Sequence, residues 1–272
     1  MSKGENVYNL APAEFMAIIL SRYFEGELFM GAGAYSQIPV AAMALARLTH
    51  NPNLWWFAGG SLAINPQFEK MHDTATDYKN IPGSEYQIPG MDEICDYELG
   101  LWRKIVTIAC LGGLQIDKYG NTNLVCIGDY YNPKLRGPGS VGLIWTNHFT
   151  RIFYYVQHHN KNVFVEKVDF ISGPGFSEER EKYVRPHAQG PQMVVTPIAV
   201  MGFEQRDEKV KTMYLKSVHP GHTTEEIQSK MGFDLHIPRE GVPETDPPTE
   251  IEISTLRNRI DPDGVLKKIK CT

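Results

Sequence analysis

Gly112–Gly142, GGLQIDKYGNTNLVCIGDYYNPKLRGPGSVG, decides how this chain is read. It gathers the side-chain amides of Gln115, Asn121 and Asn123 around a tight turn. It then closes in the loop Gly137-Pro138-Gly139-Ser140-Val141-Gly142. Glycine without a Cβ leaves its amide N–H uncovered, so such a loop can approach a ligand closely. Neutral, preorganised donors suit a carbonyl oxygen that gains negative charge during a reaction. A tight loop that only joins two strands would look much the same in sequence.

Working outward, the strongest local signal lies upstream. PAEFMAIILSRYF reads as a helix with Pro12 in its first turn and with Phe15, Ile18, Ile19 and Phe24 near one face. A short strand, Glu27 to Met30, a Gly31–Ala34 loop, an alanine-rich helix over Val40 to Leu48 and an apolar strand, Leu54 to Ala58, follow in order. Strand, loop, helix, strand specifies a βαβ unit and therefore a parallel sheet. Residues Asp73 to Asp96 read as a long polar excursion whose tip is placed to cover a site. Further strands are expected over Ile105–Ala109, Asn123–Ile127, Arg151–Val156, Val163–Phe170, Met193–Thr196 and Thr212–Val218. Thr223 and Thr249 each precede an acid by three residues, the capping-box spacing that opens a helix. The proline-rich PREGVPETDPP between them is expected to run over the surface. No repeat and no domain boundary stands out. The expectation is one open α/β domain over residues 1–272, with a mainly parallel sheet flanked by helices.

Composition narrows the function classes. The chain has 272 residues, 42% hydrophobic and 22% charged, with a net charge of −5, which is ordinary for a globular protein. An acidic chain without a basic run offers no footprint for nucleic acid. No apolar stretch approaches the length of a membrane span. The start MSKGENVYNLAP carries no apolar signal core, and the four scattered cysteines form no Cys-x-x-Cys pair. A cytoplasmic protein with inert core thiols is expected.

Other motifs lead less far. Gly31-x-Gly33 follows a strand, but Ser36 stands where a dinucleotide fingerprint needs its third glycine. The adjacent rings of His158 and His159 point to opposite faces of an extended chain, so no metal site is expected. Gly137 to Gly142 does not match a Gly-x-Ser-x-Gly nucleophile elbow. Asn147-His148, a few residues past the loop, is either a hydrogen-bonded core pair or an acid–base and substrate-orienting pair. Trp55-Trp56-Phe57 suits a core first and a subunit interface second.

GGLQIDKYGNTN (112–123), IGDYYNPK (127–134) and the glycine loop follow the order found in family I CoA-transferase β subunits of the glutaconate CoA-transferase type. PQMVVT (191–196) and MGFDL (231–235) resemble the C-terminal half of the same subunits. The resemblance implies the α/β CoA-transferase fold and a coenzyme A thioester as substrate, with no cofactor bound. It also implies a homologous α subunit, usually in an α2β2 heterotetramer. In that family a glutamate at a strand end attacks the acyl-CoA. Here the matching strand reads Trp56-Phe57-Ala58-Gly59-Gly60, which puts Ala58 at the glutamate's place. A methyl group can neither ionise nor carry a thioester.

A hydrolase branch of the family, which opens the last rings in bacterial steroid breakdown, also lacks that glutamate and keeps its key carboxylate in the α subunit. The chain resembles that branch at LARLT (45–49), Asn147-His148, FVEKVD (164–169) and His219-Pro220-Gly221. The resemblance implies a chain–partner enzyme that hydrolyses rather than transfers. Asn147 and His148 are the candidate catalytic pair. Gly59, Gly60, Gln115, Asn123, Gly137, Gly139, Ser140 and Gly142 are the candidate acyl-CoA and oxyanion contacts. A true CoA-transferase using another carboxylate (Glu69, Glu85 or Glu93) and a noncatalytic scaffold subunit are the alternatives.

Overall fold

The structure, a computed structural model, describes residues 8–25, 29–33, 35–58, 61–67, 70–72, 74–88, 90, 106–147, 150–184, 188–206 and 209–272. Of the sequence expectations, Gly59, Gly60, Glu69, Glu93, Cys95, His148 and the tip of the excursion over 91–96 lie outside the described residues. Two compact units emerge, one of residues 1–110 with 246–271 and one of residues 111–245 with Thr272.

The first unit is built on helix α1 (Pro12–Ser21), strand β1 (Phe29–Ala32), helix α2 (Gln37–Thr49) and strand β2 (Trp55–Ala58). Short strands β3 (Ala63–Ile64) and β4 (Tyr86–Gln87) and strand β5 (Val106–Leu111) complete its sheet. β1 runs parallel to both β2 and β5, so the predicted βαβ crossover is present. β3 and β4 extend the sheet antiparallel from β2. β4 falls within the stretch read as a polar excursion.

Pro12 takes the first turn of α1, where its missing N–H costs no helical bond. The helix is buried on every side from Ala13 to Ser21, rather than along one face. That burial includes Glu14, 1% exposed, whose carboxylate accepts from Arg257 Nε at 2.8 Å and from the Ala11 amide at 2.8 Å. The Thr249 capping box forms in full, with Thr249 Oγ1 accepting from Glu252 N and Glu252 reaching back to Thr249 N.

The second unit holds a hairpin of β6 (Gln115–Ile116) and β7 (Thr122–Asn123), a hairpin of β8 (Cys126–Gly128) and β9 (Pro133–Arg136), and strands β10 to β13. β10 (Arg151–Tyr155) is parallel to β11 (Pro191–Val195), while β12 (Ala199–Glu204) and β13 (Thr212–Val218) continue antiparallel. Parallel pairs of β1 with β2 and β5 in the first unit and of β10 with β11 in the second, with antiparallel strands beside them and helices, give the α/β class expected. No described helix is long and apolar enough to cross a membrane.

Several local readings are corrected. The strand expected over Asn123–Ile127 breaks after Asn123, because its side-chain oxygen accepts from the amides of Val125 and Cys126 and bends the chain there. Val163–Phe170 is not a strand. Val163 and Phe164 both donate to the Asn160 carbonyl in a turn, and only Phe164 bridges to Ile116. β12 carries little strand signal, since alanine and glycine are poor strand formers. At Thr223 only half the capping box forms: Thr223 Oγ1 accepts from Glu226 N, while the Glu226 carboxylate pairs with His222 and Lys230.

Candidate functional site

The motif GGLQIDKYGNTN folds into the β6–β7 hairpin, and its polar side chains lock the turn. Asp117 Oδ1 accepts from the amides of Tyr119 (3.0 Å) and Asn121 (3.1 Å), and the Asn121 amide group donates back to the same carboxylate. Burial pushes the Asp117 carboxyl upward in pKa, opposed by those donors from Asn121 and Tyr119. Asn121 Oδ1 in turn accepts from Gly175 N at 2.8 Å. The turn is therefore clamped from the 172–176 segment, where Ser172 Oγ also accepts from Leu124 N.

Gln115 and Asn123 sit opposite each other in this hairpin and are both buried. Asn123 Nδ2 donates to Gln115 Oε1 (2.7 Å) and to the Cys126 carbonyl (2.5 Å). Gln115 Nε2 donates to Asp169 Oδ2 at 3.0 Å. Both amides of this candidate pair are thus engaged by protein, and they orient the exit of β7 towards the β8–β9 hairpin.

The glycine loop begins where β9 ends. Gly137 donates its amide to the Val125 carbonyl at 2.8 Å, and a Cβ built on it would meet the Leu124 carbonyl oxygen at 2.2 Å. Its close approach is to the chain itself. Gly139 is the opposite case: φ is +101°, and a Cβ there would find nothing within 4 Å. Among the described residues, the amides of Gly139, Ser140 and Gly142 donate to no protein acceptor. Ser140 accepts from Leu143 N through its carbonyl, which starts the 3-10 turn Val141–Asn147. Towards the described residues the segment therefore keeps these N–H groups uncommitted at a half-buried bend, the chemistry expected of an oxyanion-binding loop.

Asn147 closes that 3-10 turn, and its partner in the candidate pair, His148, lies outside the described residues. Sequence reasoning missed Thr146, one residue earlier. Its side chain is fully buried, and Oγ1 has no hydrogen-bond partner among the described residues. Only its position next to Asn147 flags it in the sequence.

Ala58 ends β2 in the first unit, 1% exposed, paired with Ala32 of β1 and Ala63 of β3. Its carbonyl accepts from Ser61 Oγ at 2.6 Å. Of the carboxylates considered as substitutes, Glu85 is engaged by Arg47 and by Asn65 Nδ2. Trp56 and Phe57 are core, while Trp55 is 47% exposed.

The histidine pair divides as adjacent residues do. His158 Nδ1 meets Thr272 Oγ1 at 2.9 Å near the surface, and His159 turns inward against Phe164 and Thr196 Oγ1. His219 joins the same buried cluster through Thr245 Oγ1 (2.8 Å) and the Thr196 carbonyl (3.0 Å). Burial lowers the pKa of His159 and of His219 from 6.5 to about 3, so both are neutral in the fold. Cys110 and Cys126 are buried, and desolvation raises the pKa of the Cys110 thiol. No group of three or more metal-ligating side chains comes together among the described residues.

The profile of the coenzyme A transferase family matches residues 96–230, which include both hairpins and the glycine loop. Over those residues the chain is similar to the coenzyme A transferase family. It is 37% identical over 158 residues to the β chain of glutaconate CoA-transferase from Acidaminococcus fermentans, an alignment covering 57% of each chain. The cholesterol ring-cleaving hydrolase IpdB subunit of Mycobacterium tuberculosis is 29% identical over 251 residues, 88% of this chain and 92% of that one. The crystal structure of the Acidaminococcus glutaconate coenzyme A-transferase superposes with a TM-score of 0.83 at 26% identity, covering 96% of this chain and 98% of its own.

Proposed function

We propose that this chain is the β subunit of a two-chain enzyme that acts on an acyl-CoA thioester and uses water as acceptor, opening a carbon–carbon bond of a cyclic ketone. The observation that carries the proposal is the methyl group of Ala58, buried at the end of β2 where the family resemblance places a nucleophilic carboxylate. With no carboxylate there, a glutamyl thioester cannot form at that position. The 88% coverage by the ring-cleaving hydrolase subunit supports the same direction.

In this reading a carboxylate of a homologous α subunit removes a proton from water, and the hydroxide adds to the ring ketone. Collapse of the tetrahedral adduct breaks the bond to the carbon next to the thioester. The electron pair moves into the thioester enolate, which is then protonated to give a ring-opened acid that still carries CoA. The amides of Gly139, Ser140 and Gly142 would stabilise the enolate oxygen, and Asn147 or His148 would orient the substrate. An α2β2 assembly is the arrangement proposed.

The test is to co-express the chain with the product of its neighbouring gene and to supply the complex with cyclic-ketone and acyclic acyl-CoAs in heavy-oxygen water. Heavy oxygen in a ring-opened product that retains CoA is the expected result. The 37% identity to the glutaconate CoA-transferase β chain favours CoA transfer as the second reading. Under it, CoA would appear on an added free carboxylic acid with ping-pong kinetics, and the hydrolytic proposal would fail. Full activity of the chain without a partner would remove the two-chain proposal.

A further inference from the structure

The β8–β9 hairpin leads directly into the glycine loop and presents a basic, aromatic face. Lys134 and Arg136 are two residues apart on β9, so their side chains leave the same side of the strand. Both are exposed, and neither forms an ion pair with a described residue, although the chain as a whole carries a net charge of −5. Arg136 is held in place: its Cζ lies 5.1 Å from the centroid of the Tyr130 ring, and Nη2 donates to the Tyr130 carbonyl at 2.5 Å. Tyr130 is backed in turn by Phe170, with ring centroids 5.5 Å apart. Tyr131 meets Tyr130 edge-on and is 90% exposed. Asp129 Oδ1 fixes the turn by accepting from the amides of Tyr131 and Asn132.

Two exposed cations on a hairpin that also carries exposed tyrosines have the chemistry a nucleotide takes. Guanidinium and ammonium groups take phosphate oxygens, and tyrosine offers a face for a base. Because Arg136 is already fixed against Tyr130, little side-chain freedom is lost when it binds. Lys134 stands five residues before Gly139 and so lies within roughly 18 Å of it, the most that length of chain can span, a separation an extended pantetheine arm can bridge.

We propose that this hairpin face binds the adenosine 3′,5′-bisphosphate end of the coenzyme A thioester. Arg136 and Lys134 take the phosphates, and Tyr131 stacks on the adenine. The proposal rests on the reading of Gly139 to Gly142 as the thioester end of the same site.

The probe is adenosine 3′,5′-bisphosphate alone, titrated by calorimetry into the co-expressed complex at two salt concentrations. Saturable binding that weakens with salt is expected, with Arg136→Gln and Lys134→Gln each weakening it tenfold or more. Tyr131→Ala weakens it as well, and Tyr131→Phe restores it. In acyl-CoA turnover, Arg136→Gln should raise KM and leave kcat in place, the mark of lost uniform binding. No binding, or variants that bind as the wild type does, overturns the proposal. So does protection of Tyr131 from solvent in the nucleotide-free complex, which would make the hairpin a contact between subunits. The bisphosphate has no acyl group, so its binding without acyl-CoA turnover would defeat the reaction proposed above and leave this site standing.

Discussion

Gly137 and Gly139 stand two residues apart in one loop, and the structure separates what each one does. In Gly137→Ala the new Cβ would lie 2.2 Å from the Leu124 carbonyl oxygen and 2.8 Å from Leu114 Cδ1. The backbone must retreat by about 1 Å to reach an ordinary contact, which strains the Gly137 amide's bond to Val125 at the base of the hairpin. Overpacking costs about 1–3 kcal/mol and the lost hydrogen bond about 1 kcal/mol. A total of about 2–4 kcal/mol lowers Tm by roughly 4–7 °C for a chain of 272 residues. In Gly139→Ala the Cβ meets nothing within 4 Å, so only the positive φ of +101° is penalised. That costs about 1–2 kcal/mol, a smaller loss than at Gly137. Turnover should reverse the order: if the amides around Gly139 serve an oxyanion, Gly139→Ala loses about 10²-fold or more in kcat. Thermal and urea unfolding of each variant, with acyl-CoA turnover by the complex, read the two effects. Wild-type kcat in Gly139→Ala would remove the loop from the chemistry and favour a scaffold subunit. Wild-type stability in Gly137→Ala would refute the clash.

Asn123→Ala strips acceptor and donors from the amides of Val125 and Cys126, the Cys126 carbonyl and Gln115 in a fully buried site. The expected loss is about 2–4 kcal/mol, visible in urea unfolding and as faster hydrogen exchange at Val125 and Cys126. Arg257→Ala leaves the buried Glu14 carboxylate without its cation and should cost about 3 kcal/mol, partly recovered in Arg257→Lys. His159 and His219 bind protons more weakly when folded (about 3) than when unfolded (6.5), so the unfolded state gains protons first as pH falls. Stability from these histidines is complete above pH 6.5 and declines towards about 3, by up to about 1.4 kcal/mol per pH unit for each. A stability profile as flat from about pH 7 to about pH 4.5 as that of His159→Gln would exclude a neutral buried His159.

The elements legible in the sequence were those whose signal is local. Pro12 starts α1, the alanine-rich run is α2, and β1–α2–β2 forms the parallel unit that the order strand, loop, helix, strand requires. Thr249 and Glu252 make their capping box from one short stretch alone. What was not legible depends on partners far along the chain. Nothing local says that the Asn160 carbonyl takes the amides that a strand at Val163 would need, or that Glu14 is buried because Arg257 reaches it. The candidate site was legible in part. The glycines were found, but Gln115 and Asn123 engage each other and Asp169, and only the fold brings Asp169 within reach.

That division bears on what the family likeness can decide. The segment that carries it most plainly, Gly112 to Asn123, spends its polar side chains on the hairpin: Asp117 and Asn121 on the turn, Asn123 on the bend after β7. Those bonds are needed by any chain that must deliver a glycine loop from this hairpin, whatever it then does to a thioester. A likeness carried by such residues therefore argues for the fold and for the placing of the loop. The choice between water and a carboxylate as acceptor rests on other positions, where one side chain gains or loses a nucleophile. Under the function proposed, Ala58 would be such a position: its methyl group leaves β1, β2 and β3 paired and offers no atom that could hold an acyl group.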